Sequence, residues 1–272
     1  MEVRDWYDTP LYYDIIFDVD TGLEADFLEA MWRLHAGGSS GKCGSVLEPA
    51  CGSGRLISEM ARRGWITAGF DANTHAIRFA RDRLKKQKLH RNAHLWEDRM
   101  ESFRLPPELG TPPRQFDLAH CLVSSFKYLS SERAAEAHLR LMASALRPGG
   151  IYVLGIHLTD YGDPRLTHER WVAERDGVHV VCNTRTWPAN RRTREERMRS
   201  RLLVTFPGTD RAPVRQETHW TFRTYSARQA RKLFRMVPEW EIVACHDFHH
   251  DPDRVRPFDD SYADIVFILQ RR

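Results

Sequence analysis

The chain lacks an apolar run long enough to cross a bilayer, a Cys-x-x-Cys pair, an internal repeat and a dominant sign of charge. Each absence closes a class of answers. A membrane span needs about 20 consecutive apolar residues, and none is present. Asp5, Asp8, Asp14, Asp18 and Asp20 crowd the first twenty residues, so this stretch is not expected to be a secretory or transit peptide. The five cysteines (43, 51, 121, 182 and 245) are odd in number and unsuitably spaced, so neither a disulfide framework nor a zinc site is indicated. No metal is expected, and the expected setting is a reducing, cytoplasmic one. Forty-one basic against thirty-seven acidic residues leave a formal charge of +4, which makes no demand for nucleic acid. What remains is a chain of 272 residues with 42% hydrophobic content, enough for one α/β domain with an insertion.

The organising stretch is Val46 to Arg55. A short apolar start ends at Glu48, Gly52 and Gly54 flank Ser53, and Leu56 to Arg63 has the periodicity of an amphipathic helix. That is strand, tight loop, helix. Exposed amides at such a helix start favour a carboxylate or phosphate. A dinucleotide fingerprint would put glycine or alanine where Ile57 stands. A second strand, Trp65 to Phe70, ends at Asp71, seventeen residues beyond Gly54 and about where an α/β nucleotide site places its ribose-binding acid. Gly41-Lys42 suggests a phosphate loop only superficially, because Ala36 and Cys43 hold the positions of its first glycine and its hydroxyl and a helix precedes it.

Glu48-Pro49-Ala50-Cys51-Gly52-Ser53-Gly54 resembles the first motif of the class I S-adenosylmethionine-dependent methyltransferases. The resemblance implies S-adenosyl-L-methionine as cofactor, with Gly52 and Gly54 under its methionine part, Glu48 near its amino group, Asp71 at the ribose, and Ala50, Ser53, Ala72 and Leu122 among its binding residues. Asp98, Arg99 and Met100, following the strand Ala93 to Trp96, resemble the adenine-contacting turn. Leu122 ends the strand Phe116 to Leu122, and Val123 to Leu129 resembles the segment that flanks the methyl group. Ser124 stands where asparagine is common, and the Asn/Asp-Pro-Pro-Tyr/Phe motif of the amino-methylating DNA and protein-glutamine branches is absent. Arg147-Pro148-Gly149-Gly150 resembles the turn into the next strand. In similar small-molecule enzymes an amino-terminal Tyr-Asp segment folds over the cofactor, which makes Tyr12 and Tyr13 candidates; a tyrosine face suits a sulfonium. Leu23, Phe27, Met31 and Leu34 follow at helical spacing.

Between His157 and Thr224 three strands are expected, Val178 to Trp187, Met198 to Phe206 and Val214 to Tyr225, joined by turns and forming an antiparallel lid over the acceptor. The expected architecture is therefore α/β: a Rossmann-like seven-stranded methyltransferase sheet with its last strand antiparallel, built from 1–156 and 225–272, with 157–224 as an inserted antiparallel β lid. Seven arginines between 185 and 201 face only Glu195 and Glu196; alternation along a strand would send them outward to a solvated face. His249-His250-Asp251-Pro252-Asp253 has no further ligands at a familiar spacing and reads as a loop. The expected reaction is in-line methyl transfer to nitrogen or oxygen of a small-molecule acceptor, with no membrane partner. A nucleic-acid methyltransferase using the arginines and a non-catalytic cofactor-binding protein are the alternatives. If a catalytic base is used, His157, Tyr13 and Tyr161 are the candidates. The acceptor and the oligomeric state are not written in the sequence.

Overall fold

Strand Ser45–Pro49 is buried along its whole length, as befits the centre of a parallel sheet covered on both faces. The structure, a computed structural model, describes residues 2–38, 43–110 and 115–272. Part of the glycine-rich connector, with Gly41-Lys42, and the end of the proline-rich loop 106–114 lie outside the described residues. In chain order the elements are β1 (Glu2–Val3), a 3-10 turn (Trp6–Asp8), α1 (Pro10–Phe17), α2 (Thr21–His35), β2 (Ser45–Pro49), α3 (Arg55–Arg62), β3 (Ile66–Asp71), α4 (Thr74–Lys86), β4 (Ala93–Glu97) and β5 (Phe116–Cys121). There follow α5 (Glu132–Ala145), β6 (Leu146–His157), β7 (Thr167–Arg175), β8 (Val178–Thr186), β9 (Glu195–Thr205), β10 (Val214–Arg223), α6 (Ala227–Arg235), β11 (Trp240–Asp247) and β12 (Asp264–Arg271).

Seven strands form one sheet in the order β11-β12-β6-β5-β2-β3-β4. The β2, β3, β4, β5 and β6 pairings are parallel, and β12 runs antiparallel to both neighbours. The order reverses at β2, so the carboxyl ends of β2 and β5 diverge there and leave a crevice. Local chemistry fixes the helix starts. Asn73 accepts from the His75 and Ala76 amides at the head of α4, Ser131 accepts from Ala134 at α5, and Ser226 with Gln229 forms a capping box on α6.

The insertion is a sheet in the order β1-β10-β9-β8-β7. It differs from the sequence expectation in two ways. It contains an additional strand, β7, whose residues are largely exposed and polar and so carry no apolar alternation to announce it. Its apolar face is covered by the start of the chain: Trp6, Tyr12, Ile15 and Ile16 pack with Val180, Cys182, Leu202, Val204 and Trp220, and β1 pairs with β10. Residues 1–17 thus share a core with the insertion rather than with the seven-stranded sheet. Asp14, fully buried on α1, is gripped by Arg83 of α4 and by Arg175 at the end of β7, which ties insertion, amino-terminal helix and main sheet together. Along α2 the apolar stripe is narrower than its spacing suggests: Phe27 and Met31 are buried, while Leu23 and Leu34 face solvent. Among the described residues no helix is long and apolar enough to cross a membrane.

Candidate active site

A cavity of about 440 Å³ opens at the crevice between β2 and β5. One wall comes from the loops that follow β2, β3 and β4 and supplies Glu48, Ala50, Gly52, Ser53, Asp71, Ala72, Asp98, Arg99 and Met100. The facing wall comes from the amino-terminal segment and the loop after β5, with Asp5, Tyr7, Tyr13, Leu122, Val123 and Tyr128.

The backbone around this cavity is unusual. Ala50, Val123 and Ser124 adopt positive φ values of 53°, 55° and 64°. Such conformations are costly for residues with a β-carbon, most of all for a β-branched valine, and they gather where a site demands a particular chain path. The two glycines of the β2–α3 loop divide their work. Gly52 has φ +52°, and a β-carbon there would meet nothing nearer than Tyr13 Cε1 at 3.8 Å, so its bare α-carbon faces the cavity. Gly54 caps α3 at φ +69°, and a β-carbon there would lie 2.8 Å from Ala80 Cβ, so Gly54 seats α3 against α4 and is not among the residues lining the cavity. Ile57 takes the place a small residue would hold in a dinucleotide fold; the relief comes from Gly69 on β3, where an added β-carbon would stand 2.9 Å from Ile57 Cδ1.

Asp71 is held by two amides. Gly52 N–H donates to Oδ2 at 2.9 Å and Asn73 N–H to Oδ1 at 2.8 Å, leaving a second lone-pair direction on each oxygen. Burial raises its pKa, and those amides work against the rise. Asp98 staples its own turn by accepting from Arg99 and Arg104 amides at 2.8 and 2.9 Å, while its amide donates to the Asp71 carbonyl at 3.1 Å.

Glu48 is buried at the end of β2, and its Oε2 has no partner among the described residues. Burial pushes its pKa well up, with Arg55 opposing. His120 lies 3.9 Å from Glu48 but is held down to about 3 by burial and then by Arg55, so it is a neutral neighbour and not an ion-pair partner. Ser53 Oγ is likewise buried and without a partner among the described residues. An orphaned carboxylate oxygen, an orphaned hydroxyl and a glycine open to the cavity are what an amino acid with a free ammonium and carboxylate would satisfy. The residues present therefore fit the methionine end of S-adenosylmethionine.

The tyrosines make the opposite face aromatic. Tyr7 and Tyr128 share a hydrogen bond of 3.0 Å between hydroxyls, Tyr7 and Tyr13 have centroids 5.2 Å apart, and Tyr13 also stacks obliquely on Phe17 at 4.7 Å. Burial, above all other causes, pushes the Tyr13 pKa well up, so its phenol stays neutral. Asp5 lines the cavity beside them; its Oδ1 accepts from Tyr7 N–H at 3.0 Å, and burial raises its carboxyl.

Several expected site residues lie elsewhere. Tyr12 is turned to the other side of α1, into the core shared with the insertion. His157 is bonded to Asp264 at the end of the β6–β12 pairing and packs on Phe248, outside the cavity lining. Tyr161 bonds Thr224 Oγ1 at 2.8 Å and Gln229 Oε1 at 3.0 Å and lines a separate groove with Arg191, Arg228, Lys232 and Arg235. Both are held at strand or loop ends by neighbours that point them away, so of the three catalytic candidates only Tyr13 reaches the cavity. Asp5, Tyr7, Arg55 and Asn73 were not anticipated. Tyr7 belongs to the aromatic-rich opening of the chain and Tyr128 to the segment expected to flank the methyl group, so both carried a signal; Asp5 carried none beyond its sign.

Comparison with known proteins agrees with this arrangement. Residues 46–150 match a family described as a methyltransferase domain. No functionally curated protein matches the chain. Among solved structures, Streptomyces venezuelae DesVI is similar over 100% of both chains, with 20% identity and a TM-score of 0.74. The sugar N-methyltransferase KedS8 from a Streptoalloteichus species covers 100% of this chain and 95% of its own, at 18% identity and a TM-score of 0.69. CalS10, an amino pentose methyltransferase of calicheamicin biosynthesis from Micromonospora echinaspora solved with S-adenosylmethionine bound, covers 99% of this chain and 92% of its own, at 17% identity and a TM-score of 0.63. Residues 46–150 thus match a methyltransferase domain, and the sheet order with its antiparallel β12 and the cavity at the ends of β2 and β5 are those of the Rossmann-like methyltransferase fold.

Proposed function

We propose that this enzyme methylates an amine nitrogen of a small polar acceptor bound between the β2–β5 crevice and the amino-terminal tyrosines. The observation that carries this reading is the charge of the cavity. Its lining holds five carboxylates (Asp5, Glu48, Asp71, Asp98 and Glu101) and two guanidinium groups, and both of the latter are engaged: Arg55 with Glu24, and Arg99 with Glu101 at 2.8 Å. A ligand pair of positive character suits such a site, and tyrosine faces favour an ammonium as they do a sulfonium. The solved relatives whose names specify a sugar N-methyltransferase and an amino pentose methyltransferase support the same acceptor class.

Bound S-adenosylmethionine supplies an electrophilic methyl on a positively charged sulfur. On this reading Glu48, Ser53 and the Gly52 backbone hold its amino-acid end, Asp71 its ribose hydroxyls, and the Asp98–Met100 turn with Leu122 its adenine. Tyr7, Tyr13 and Tyr128 face the methyl and seat the acceptor so that its nitrogen lies in line with the bond that breaks. The acceptor's nitrogen would take the methyl that the bound cofactor supplies, with the demethylated thioether as leaving group, and the acceptor's proton would pass to water or to Asp5. Alignment alone can contribute roughly 7–11 kcal/mol to lowering the barrier, so no strong base is required. The insertion, with residues 1–17 packed under it, holds the tyrosine wall in place and keeps water out.

The arginine run supports this reading over a nucleic-acid one. Arg201 pairs with Glu217 at 2.5 Å, Arg194 donates to the Thr224 carbonyl at 3.0 Å and pairs with Glu132, and Arg197 and Arg199 lie over the Trp187 ring. These side chains brace the insertion. The test is mass spectrometry of a panel of amino sugars, simple amines, phenols, alcohols and RNA incubated with enzyme and a deuterated-methyl donor. Label on amine nitrogen is expected. Label confined to hydroxyl groups or to RNA would overturn the proposal.

A further inference from the structure

We infer that His138, on α5 behind the cavity, is a positioning residue that fixes the cofactor-facing turn at Met100. The inference rests on the reading that Asp98 to Met100 receive the adenine.

His138 is fully buried between Phe103 and Phe126 and touches no cavity surface. Its ring bridges two elements. Nδ1 lies 3.0 Å from the Met100 carbonyl, and Nε2 lies 2.9 Å from the Tyr152 hydroxyl on β6. A carbonyl can only accept, so Nδ1 carries the proton; Nε2 is then bare and accepts from the tyrosine. Burial, the dominant cause, lowers the ring's pKa to about 4, so this one tautomer persists through neutral pH.

The turn needs such a support. The Asp98 amide ties its start to β3, the Asp98 carboxylate staples Arg99 and Arg104 within the turn, and Ser102 N–H donates to the Arg99 carbonyl at 3.2 Å. Each of those contacts lies within the turn or at its first residue. Met100, a cavity-lining residue, packs its side chain on the main core, and among the described residues the His138 bond is the hydrogen bond that ties its backbone to the rigid body of α5 and β6. Tyr152 is completely buried in the main core, so the ring is oriented from a fixed point. The chain of contacts runs from core tyrosine to imidazole to backbone carbonyl to cavity wall.

Asparagine and glutamine separate positioning from packing. In His138→Asn the amide N–H can stand near the Nδ1 position and still donate to Met100; in His138→Gln the polar group lies farther out, near Nε2, and the Met100 carbonyl loses its donor. Calorimetric titration of S-adenosylhomocysteine should find His138→Gln and His138→Leu weakened about tenfold, the scale of one hydrogen bond left unmade, and His138→Asn within about threefold of wild type. The melting temperatures of the Asn and Gln variants should fall alike. Equal affinity losses for Asn and Gln, or no loss in either, would overturn the inference. Should those variants fail to fold, Tyr152→Phe keeps the imidazole but removes the donor that fixes its tautomer; a weakened affinity is expected, and an unchanged one refutes the role. Asp98→Ala tests the underlying reading separately: if it leaves the affinity untouched, the turn does not hold the adenine, whatever the His138 series shows.

Discussion

Substituting the two motif glycines should produce opposite failures, although they are two residues apart in one loop. At Gly54 an alanine would be forced to keep φ +69° and ψ 26° while its methyl sat 2.8 Å from Ala80 Cβ. The left-handed conformation costs about 1–2 kcal/mol for a residue with a β-carbon. Prying α3 from α4 adds roughly 1–3 kcal/mol. The sum, about 2–5 kcal/mol, would lower the melting temperature by roughly 5–15 °C for a chain of this size. At Gly52 the methyl has open space, so Gly52→Ala should cost only the backbone term, about 1–2 kcal/mol. Its methyl would instead occupy the volume in front of Tyr13, where the cofactor's methionine part is read to lie. Unfolding of the free protein by heat and urea, followed by calorimetry with S-adenosylhomocysteine, separates the two. Gly54→Ala should be the unstable variant with affinity largely retained at low temperature, and Gly52→Ala the stable one that binds poorly. If Gly54→Ala melts with wild type and loses only affinity, the assignment of that glycine to helix packing is wrong.

Other substitutions probe the rest of the cavity. Asp71→Ala should weaken cofactor binding by about 1.5–3 kcal/mol, the usual scale for hydrogen bonds to a charged group, whereas Arg192→Ala, on the exposed tip of the insertion, should leave it unchanged; equal effects in calorimetry would mean the site is misplaced. Tyr128→Phe removes the 3.0 Å bond to Tyr7 and should raise the acceptor's KM with little change in cofactor affinity, and a reversed pattern in steady-state kinetics would put Tyr128 on the cofactor side. His138 also predicts an acid response. Its folded pKa of about 4 lies below the usual 6.5, so the unfolded chain binds the extra proton first and stability falls as pH drops from about 6.5 toward 4. Between pH 7 and pH 5 this group should cost about 2 kcal/mol in urea unfolding. His138→Asn, which cannot titrate, should show that much less loss, and identical slopes would contradict a neutral buried ring; Glu101 is the nearest charge that could blunt the effect.

The main sheet was legible because its signals are local. Glu48 to Gly54, the acid at Asp71 and the turn at Arg147 to Gly150 each sit where a strand meets a loop, and residue type alone marks those junctions. Asn73 heads α4, which leaves the Asp71 carboxylate in the cavity lining. The insertion was legible only where its strands alternate. β9 and β10 bury every second residue over much of their length and β8 carries the apolar run Val180 to Cys182, but β7 stands at the edge of its sheet with little to bury, and polar edge strands carry no period to detect. His157 and Tyr161 were reasonable candidates by position in the chain; what decides their direction is a partner more than sixty residues away in each case, Asp264 for one and Thr224 for the other.

The amino-terminal segment shows most clearly why part of the site stays hidden. Alternate faces of one short stretch do different work: Tyr13 turns to the cavity, while Tyr12 and Ile16 turn to the insertion's core. In sequence the two adjacent tyrosines are equivalent. Their roles are set by two bodies that α1 lies between, the main sheet through Arg83 and the insertion through Arg175, both closing on the same carboxylate of Asp14. Asp14 is wholly buried, so losing either arginine leaves an under-compensated charge in the interior, which is costly by several kcal/mol. The clamp therefore fixes the rotation of α1 about its own axis, and with it which tyrosine faces the cavity. Among the described residues no strand of the insertion lines the cavity, so on the proposed reading the insertion's contribution to the reaction passes through α1. Its sheet holds a helix, and the helix holds the tyrosine.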